Sequence, residues 1–286
     1  MHPTISRPAA VLAFCLLPLA CAAEAANSAS NADSASSAEP PNGDVLRYAL
    51  GLALIDSPTY AGAAGRVQKL RPLWSLRYGR FRLSGARSSG LLGATAADKA
   101  SGASVDLIDS PRWMLGLGLR IDNGRSAGDD PALAGLPEIR STLRGKLHGG
   151  LDLGAGFGTS LSYSADLLGR GGGGQLGWGL GYSWAPWPEA MASVGVGASW
   201  ADKQHMQTYF GIAPDVALRT GRAAFQPGPG LKDLNAGMSL RMPLGGRWTL
   251  ISGVGLSQLQ GDAAASPLTR KTFGATALVA AAWTSR

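Results

Sequence analysis

The chain has 286 residues and a net charge of +7, yet only 16% of its residues are charged, against about 25% in ordinary soluble domains. Glycine occupies 41 positions, about twice its usual share of roughly 7%. Beyond the N-terminal region no run of about 18 apolar residues occurs, which excludes a transmembrane helix in the body of the chain, and both cysteines, Cys15 and Cys21, lie near the start, so the remainder carries neither disulfide nor thiolate metal site.

In chain order, residues 1–25 read as a signal peptide. Arg7 supplies the positive n-region, residues 10–20 the apolar h-region, and Ala23-Glu24-Ala25 a small-x-small cleavage site, with cutting expected after Ala25 or Ala26. Loss of Arg7 together with Glu24 leaves the net charge unchanged. A lipoprotein reading would acylate Cys21, but Pro18 stands where that signal carries Leu. Residues 26–43 are small, polar and without period, and read as a disordered periplasmic linker ahead of a domain at 44–286.

From Val45 onward the period is two. A strand sends alternate side chains to opposite faces, so each segment has a bulky parity and a small or polar one. In 45–54, Leu46, Tyr48, Leu50, Leu52 and Leu54 oppose Arg47, Ala49, Gly51 and Ala53. Segments 68–78, 112–122, 138–154 and 159–167 repeat the pattern. The stretch QLGWGLGYSW at 175–184 is its extreme form, with Leu, Trp and Tyr against Gly177, Gly179, Gly181 and Ser183. Further segments follow at 190–201, 232–243, 247–258 and 272–283, with weaker ones at 80–87 and 90–108.

The strong segments run about 9–11 residues, the length a tilted strand needs to cross the hydrocarbon layer. The period excludes a helix, while a β-sandwich shares it. A barrel in lipid is the architecture that asks every strand to be greasy outside and wet inside, and closure removes the edges a bilayer cannot tolerate. The expected fold is therefore all-β: a closed antiparallel transmembrane β-barrel of about 12 strands, or 10 if the weak region 88–108 contributes none.

Tight turns are predicted at Gly79, 109–111, 155–158, 185–189 and 245–246, alternating with longer connections at 55–67, 123–137, 168–174, 202–231 and 259–271. Outer-membrane barrels pair short periplasmic turns with longer external loops in this way. Trp74, Tyr78, Trp113, Tyr182, Trp184, Trp200, Trp248 and Trp283 fall near strand ends, where interfacial aromatic girdles lie.

Catalytic patterns are scarce. His148 and His205 have no metal-ligand spacing, and no Gly-x-Ser-x-Gly elbow occurs. GRGGGG at 169–174 lacks the Lys-Ser/Thr of a phosphate loop and opens no helix, so it reads as a flexible external loop. No catalytic, cofactor-binding or metal-ligating residue is assigned; Ser, His and Asp on the wet parity keep an outer-membrane hydrolase open by residue type alone. The basic residues are more informative. Arg47, Lys69, Arg71, Arg77, Arg82, Arg112, Arg120, Arg140, Arg144, Lys146 and Arg241 all take the small or polar parity, and in a barrel they line the interior. One reading has Glu138, Asp122, Asp152 and Asp166 neutralise them in a plugged lumen, with Arg144 or Arg120 reaching across toward the glycine wall. The other is an electropositive passage or pocket for anions. Their scatter over many strands speaks against nucleic-acid binding.

Several stretches resemble one known family. SWADKQHMQTYFGI at 199–212 with Ala213-Pro214, GPGLKDLNAGMSL at 228–240, RWTLISGVGLSQLQGDAAASPLTR at 247–270 and GLALIDSPTYAGA at 51–63 resemble, in order, signatures of the MipA/OmpV family (MltA-interacting protein family). The most specific are Met206-Gln207-Thr208-Tyr209-Phe210-Gly211, and Gly261-Asp262-Ala263-Ala264 followed by Ser266-Pro267-Leu268. The resemblance implies a barrel in the outer membrane of a Gram-negative bacterium, in contact with its lipid. It also implies a non-enzymatic scaffold that links a lytic transglycosylase to a penicillin-binding protein in peptidoglycan assembly. No catalytic residue is assigned to the family. The chain departs from the usual outer-membrane ending in an aromatic residue: Trp283 is followed by Thr284-Ser285-Arg286.

Overall fold

The computed structural model describes residues 46–85 and 102–285. The expected signal peptide at 1–25, the linker at 26–43 and positions 88–101 of the weak segment lie outside the described residues. Twelve strands close into one antiparallel barrel, each paired with its sequence neighbours and β1 with β12. They are β1 (Arg47–Pro58), β2 (Arg66–Tyr78), β3 (Phe81–Ser84), β4 (Gly102–Asp109), β5 (Trp113–Asp122), β6 (Thr142–Gly154), β7 (Phe157–Asp166), β8 (Gly174–Trp184), β9 (Met191–Ala201), β10 (Gly230–Gly245), β11 (Trp248–Leu259) and β12 (Phe273–Thr284). The twelve-strand expectation holds. Among the described residues no helix is long and apolar enough to cross a membrane.

Register follows parity. Leu50 faces Trp74 on β2 and Trp283 on β12, and Leu161 faces Trp178 across β7 and β8. Bulky residues thus align on one face all the way round, and Leu50, Leu70, Trp113, Leu161, Trp178 and Val279 are exposed there. A belt of exposed Leu, Trp and Val is stable only against lipid.

The inner face changes character around the barrel. On β2 through β6 it carries charge: Lys69, Arg71, Arg77, Arg82, Asp106, Arg120, Arg144 and Lys146. On β7 through β9 it is glycine and serine, and small neighbours cover it laterally: a Cβ at Gly177 would touch the Ser162 hydroxyl, and one at Gly197 would meet Asn235. On β12 and on β1 beyond Arg47 it is apolar, with Ala53, Leu278 and Ala280 buried against Ile55, Leu73 and Ile251.

The two ends differ. One carries the tight turns 79–80, 110–112, 155–156, 185–190 and 246–247. The other carries the longer connections, including helices α1 (Lys203–Phe210), α2 (Pro214–Thr220) and α3 (Gly261–Ala265). Aromatics crowd the turn end: Tyr48, Tyr78, Phe81, Trp113, Phe157, Trp184, Trp248 and Trp283 all sit at strand termini there, against Tyr163, Trp200 and Phe273 toward the loop end. Tyr48 packs against Trp283, and the Arg247 guanidinium lies 5.2 Å above the Trp283 ring.

Candidate functional site

The long connections build a roof over the loop end, and α1 is its centre. The helix starts because Asp202 caps it, accepting the His205 backbone N–H at 2.7 Å. The same carboxylate accepts the Gly174 N–H at 2.6 Å, which fixes the helix to the head of β8. Residues 205, 206, 209 and 210 share one helical face. Met206 is 1% and Phe210 2% exposed, packed with Ala201, Leu259 and Ala263.

Beneath the helix lies a polar network. Arg144, on the inner face of β6 and 1% exposed, donates from Nη1 to the Gly172 carbonyl at 2.8 Å and from Nη2 to the Gly173 carbonyl at 3.0 Å. Its Nη2 also donates to the Ser164 carbonyl at 3.3 Å, and its charge stands 3.9 Å from Asp122. The Tyr209 hydroxyl donates to that same aspartate at 3.3 Å. His205 Nδ1 lies 2.9 Å from the Gly172 carbonyl, which places the ring proton on Nδ1. Its ring stacks on Tyr209 at 4.4 Å. Burial, reinforced by the Lys232 charge, lowers the His205 pKa from its ordinary value to about 4. Burial and then the Asp122 charge push the Tyr209 phenol up to about 12. Both groups stay neutral at physiological pH, as a dry network requires.

The glycine segment expected to be a flexible loop is pinned here. The Thr208 hydroxyl donates to the Gly171 carbonyl at 2.6 Å, and Asp166 accepts the Gly172 N–H at 2.8 Å. Gly173 holds φ 58, and a Cβ there would collide with the backbone nitrogen of His205 and with Asp202; glycine lets the chain pass under the helix start.

A second tier locks the roof together. The Ser266 hydroxyl donates to the Phe210 carbonyl at 2.6 Å, and Asp262 accepts the Gly228 N–H at 2.7 Å. The Tyr60 hydroxyl donates to the Leu268 carbonyl at 2.9 Å, and the Arg270 N–H to the Gly62 carbonyl at 2.7 Å. Leu133, Ile212, Val216 and Leu268 form a small core above the mouth. The four stretches singled out in the sequence therefore meet in one unit. Met206, Gln207, Thr208, Tyr209, Phe210 and Gly211 are its middle: Met206, Thr208, Tyr209 and Phe210 dock on the barrel or on another loop, and Gly211 closes the helix with its N–H on the Gln207 carbonyl.

The predicted lumen cations do not gather at one place. Arg144 is in the roof network, and it turns to the β7–β8 connection instead of crossing toward the glycine wall. Arg120 faces it in register, and Lys146 faces Gly118 and Ser164. Arg71 lies on the inner face of β2 opposite Ala53, open to water. Arg77, near the turn end, stands 4.0 Å from Asp109. Arg241 lies exposed near the same end, in register with Met191. Arg112 falls in the turn before β5 and Arg140 in the connection before β6, so neither belongs to a strand face. Of the expected counter-charges, Asp122 stands 3.9 Å from Arg144, while Asp152 accepts the Gly154 N–H in a turn, Glu138 accepts from Ser126, and Asp166 accepts from Thr142 and Gly172. The sequence reading missed Asp106 and Asp109 as partners of Arg82 and Arg77. It also missed the capped helix, although Asp202 three residues before His205 is the pattern of an N-cap. Among the described residues no cluster of three His, Cys, Asp or Glu side chains could hold a metal ion.

Comparisons with known proteins bear on this geometry. The profile of the family described as "MltA-interacting protein MipA" matches residues 50–285. A search of curated proteins finds no match to this sequence. Solved structures similar to it include a KdgM porin in complex with disordered oligogalacturonate (10% identity, TM-score 0.42, covering 83% of this chain and 99% of that one). The Ralstonia pickettii toluene transporter TbuX is also similar (12% identity, TM-score 0.35, 86% and 90% covered), as is OmpT of Vibrio cholerae (6% identity, TM-score 0.36, 84% and 97% covered).

Proposed function

Because the chain belongs to the MipA family and forms a β-barrel of the Gram-negative outer membrane, we propose that it is a non-enzymatic scaffold. Its periplasmic face joins a lytic transglycosylase to a penicillin-binding protein in peptidoglycan assembly. The tight-turn end is the periplasmic one and the roofed end is external, as in other outer-membrane barrels. The export signal expected at 1–25 fits this placement.

The roof is the observation that carries the reading. The family's signature stretches build an interlocked cover, with Met206 and Phe210 almost wholly buried, so they hold the external mouth rather than offer a free surface. Partners are left the periplasmic turns, where Arg77, Arg80, Arg112 and Arg247 outnumber Asp109, Asp152 and Glu189, a rim suited to acidic protein surfaces. Co-purification from bacterial membranes with the tagged barrel tests the proposal. The expected result is recovery of both a lytic transglycosylase and a penicillin-binding protein, lost when the periplasmic arginines are neutralised. Recovery of neither while both are present in the lysate rejects it.

A second reading, a barrel that admits small anions, is favoured by Lys69 and Arg71. Both face the bore, both are open to water, and neither has a charged partner among the described residues. Planar-bilayer recording separates the two, since an anion-selective current supports the channel and a silent bilayer rejects it.

A further inference from the structure

We infer that the periplasmic mouth of the bore holds a binding site for a soluble oxyanion, a phosphate or carboxylate with at least two free oxygens, formed by Arg77 and Arg82 with Arg47 beside them. The register makes the cluster. Arg47 on β1 lies directly opposite Arg77 on β2, and Arg77 lies directly opposite Arg82 on β3. All three take the inner parity, since Tyr48, Tyr78, Phe81 and Leu83 around them are exposed on the outer face. Like charges facing each other across adjacent strands repel, so the facing pair Arg77 and Arg82 calls for anionic oxygens beside it.

Among the described residues, the carboxylates beside Arg77 and Arg82 supply that charge incompletely. Asp106 stands 3.5 Å from Arg82, and Asp109 stands 4.0 Å from Arg77. Both are longer than the about 2.7–2.9 Å of a charge-assisted hydrogen bond. Nη1 of Arg82 is buried and has no hydrogen-bond partner among the described residues, whereas buried donors are nearly always satisfied. The Arg82 side chain is 12% exposed and that of Arg77 46%. The cluster therefore runs from a shielded guanidinium within the wall to one at the water. Guanidinium forks match the geometry of phosphate and carboxylate oxygens. Because the cluster faces the bore and lipid lies against the opposite parity, its ligand is a soluble ion and not a lipid headgroup.

The test is calorimetric titration of the whole barrel in detergent with inorganic phosphate and with citrate, alongside competition by phosphatidylglycerol vesicles as the lipid arm. Both soluble anions are expected to bind, more weakly as salt rises. Arg77→Gln combined with Arg82→Gln is expected to weaken them by about tenfold or more, and Arg219→Gln on α2, at the other end of the barrel, to change nothing. Where the double variant does not fold, Arg77→Gln alone, at a half-open side chain, carries the same expectation of weaker binding. The inference is overturned if the native barrel takes up neither anion, if the arginine variants bind as well as it does, or if only the vesicles compete. No partner protein enters this assay, so its failure leaves the scaffold proposal standing, and the reverse also holds.

Discussion

Arg144 and His205 share one acceptor: Nη1 of the arginine reaches the Gly172 carbonyl at 2.8 Å and Nδ1 of the histidine reaches it at 2.9 Å. A side chain of the barrel wall and a side chain of the roof helix are thus tied through a single backbone oxygen. Disturbing either partner is expected to be felt by the other.

Arg144→Met removes the donors for the Gly172, Gly173 and Ser164 carbonyls and takes the neighbouring cation from Asp122, which keeps the Tyr209 hydroxyl and the Gly124 N–H. Breaking a buried charged network from one side costs about 3–5 kcal/mol, read as a lower urea midpoint for the refolded barrel in lipid vesicles. Arg144→Lys is expected to recover little, because one ammonium cannot reproduce a planar fork. A change under about 1 kcal/mol, the level of an exposed pair, would show that the network does not hold the roof.

The pH dependence follows from His205. Its folded pKa of about 4 lies below the ordinary 6.5. Between those values the unfolded chain binds a proton that the folded one excludes. Stability is therefore full above about pH 6.5 and falls as pH drops, by about 1.4 kcal/mol per unit and about 3 kcal/mol in all by pH 4. Carboxylates titrate in part of this range, so the measurement is the difference between the native barrel and His205→Gln in urea unfolding at pH 7, 5.5 and 4.5. The variant is expected to lose this share of the slope, and parallel curves would contradict the assignment.

Gly173→Ala combines a left-handed φ of 58 with a Cβ driven into His205 and Asp202. It is expected to unseat the start of α1 and make the 202–229 connection sensitive to added protease in intact cells. Gly230→Ala, where a Cβ meets open space, serves as the control and is expected to stay resistant.

Phe210→Ala opens a cavity between α1, Leu259 and Ala263. The expected loss is about 3–5 kcal/mol, with faster amide exchange concentrated in α1 and α3 while the strands stay protected. Uniform loss of protection around the barrel would mean that roof and wall unfold as one unit.

The barrel was legible because its signal is local. Each strand's parity is written in about ten consecutive residues, and the glycine and leucine alternation of 175–184 matches β8 almost residue for residue. The roof was not, because its contacts join distant positions: Ser266 to Phe210, Tyr60 to Leu268, Arg144 to Gly172. Six glycine and arginine letters at 169–174 look like slack chain. Their rigidity comes from Asp166, Thr208 and Arg144, none of which the segment contains. Parity likewise placed Arg77 on the inner face without revealing that Arg47 and Arg82 flank it, since pairing register is decided by turns the periodicity does not fix.

The crowding of rings at one rim has a mechanical consequence. Interfacial Trp and Tyr fix the depth at which a membrane protein floats, and with the turn end at the periplasm, as proposed above, they act as a keel along the inner leaflet. When lipid composition thickens or thins the bilayer, the mismatch is taken up at the sparsely ringed outer rim. The height of the arginine rim above the cell wall then stays constant whatever the outer leaflet does.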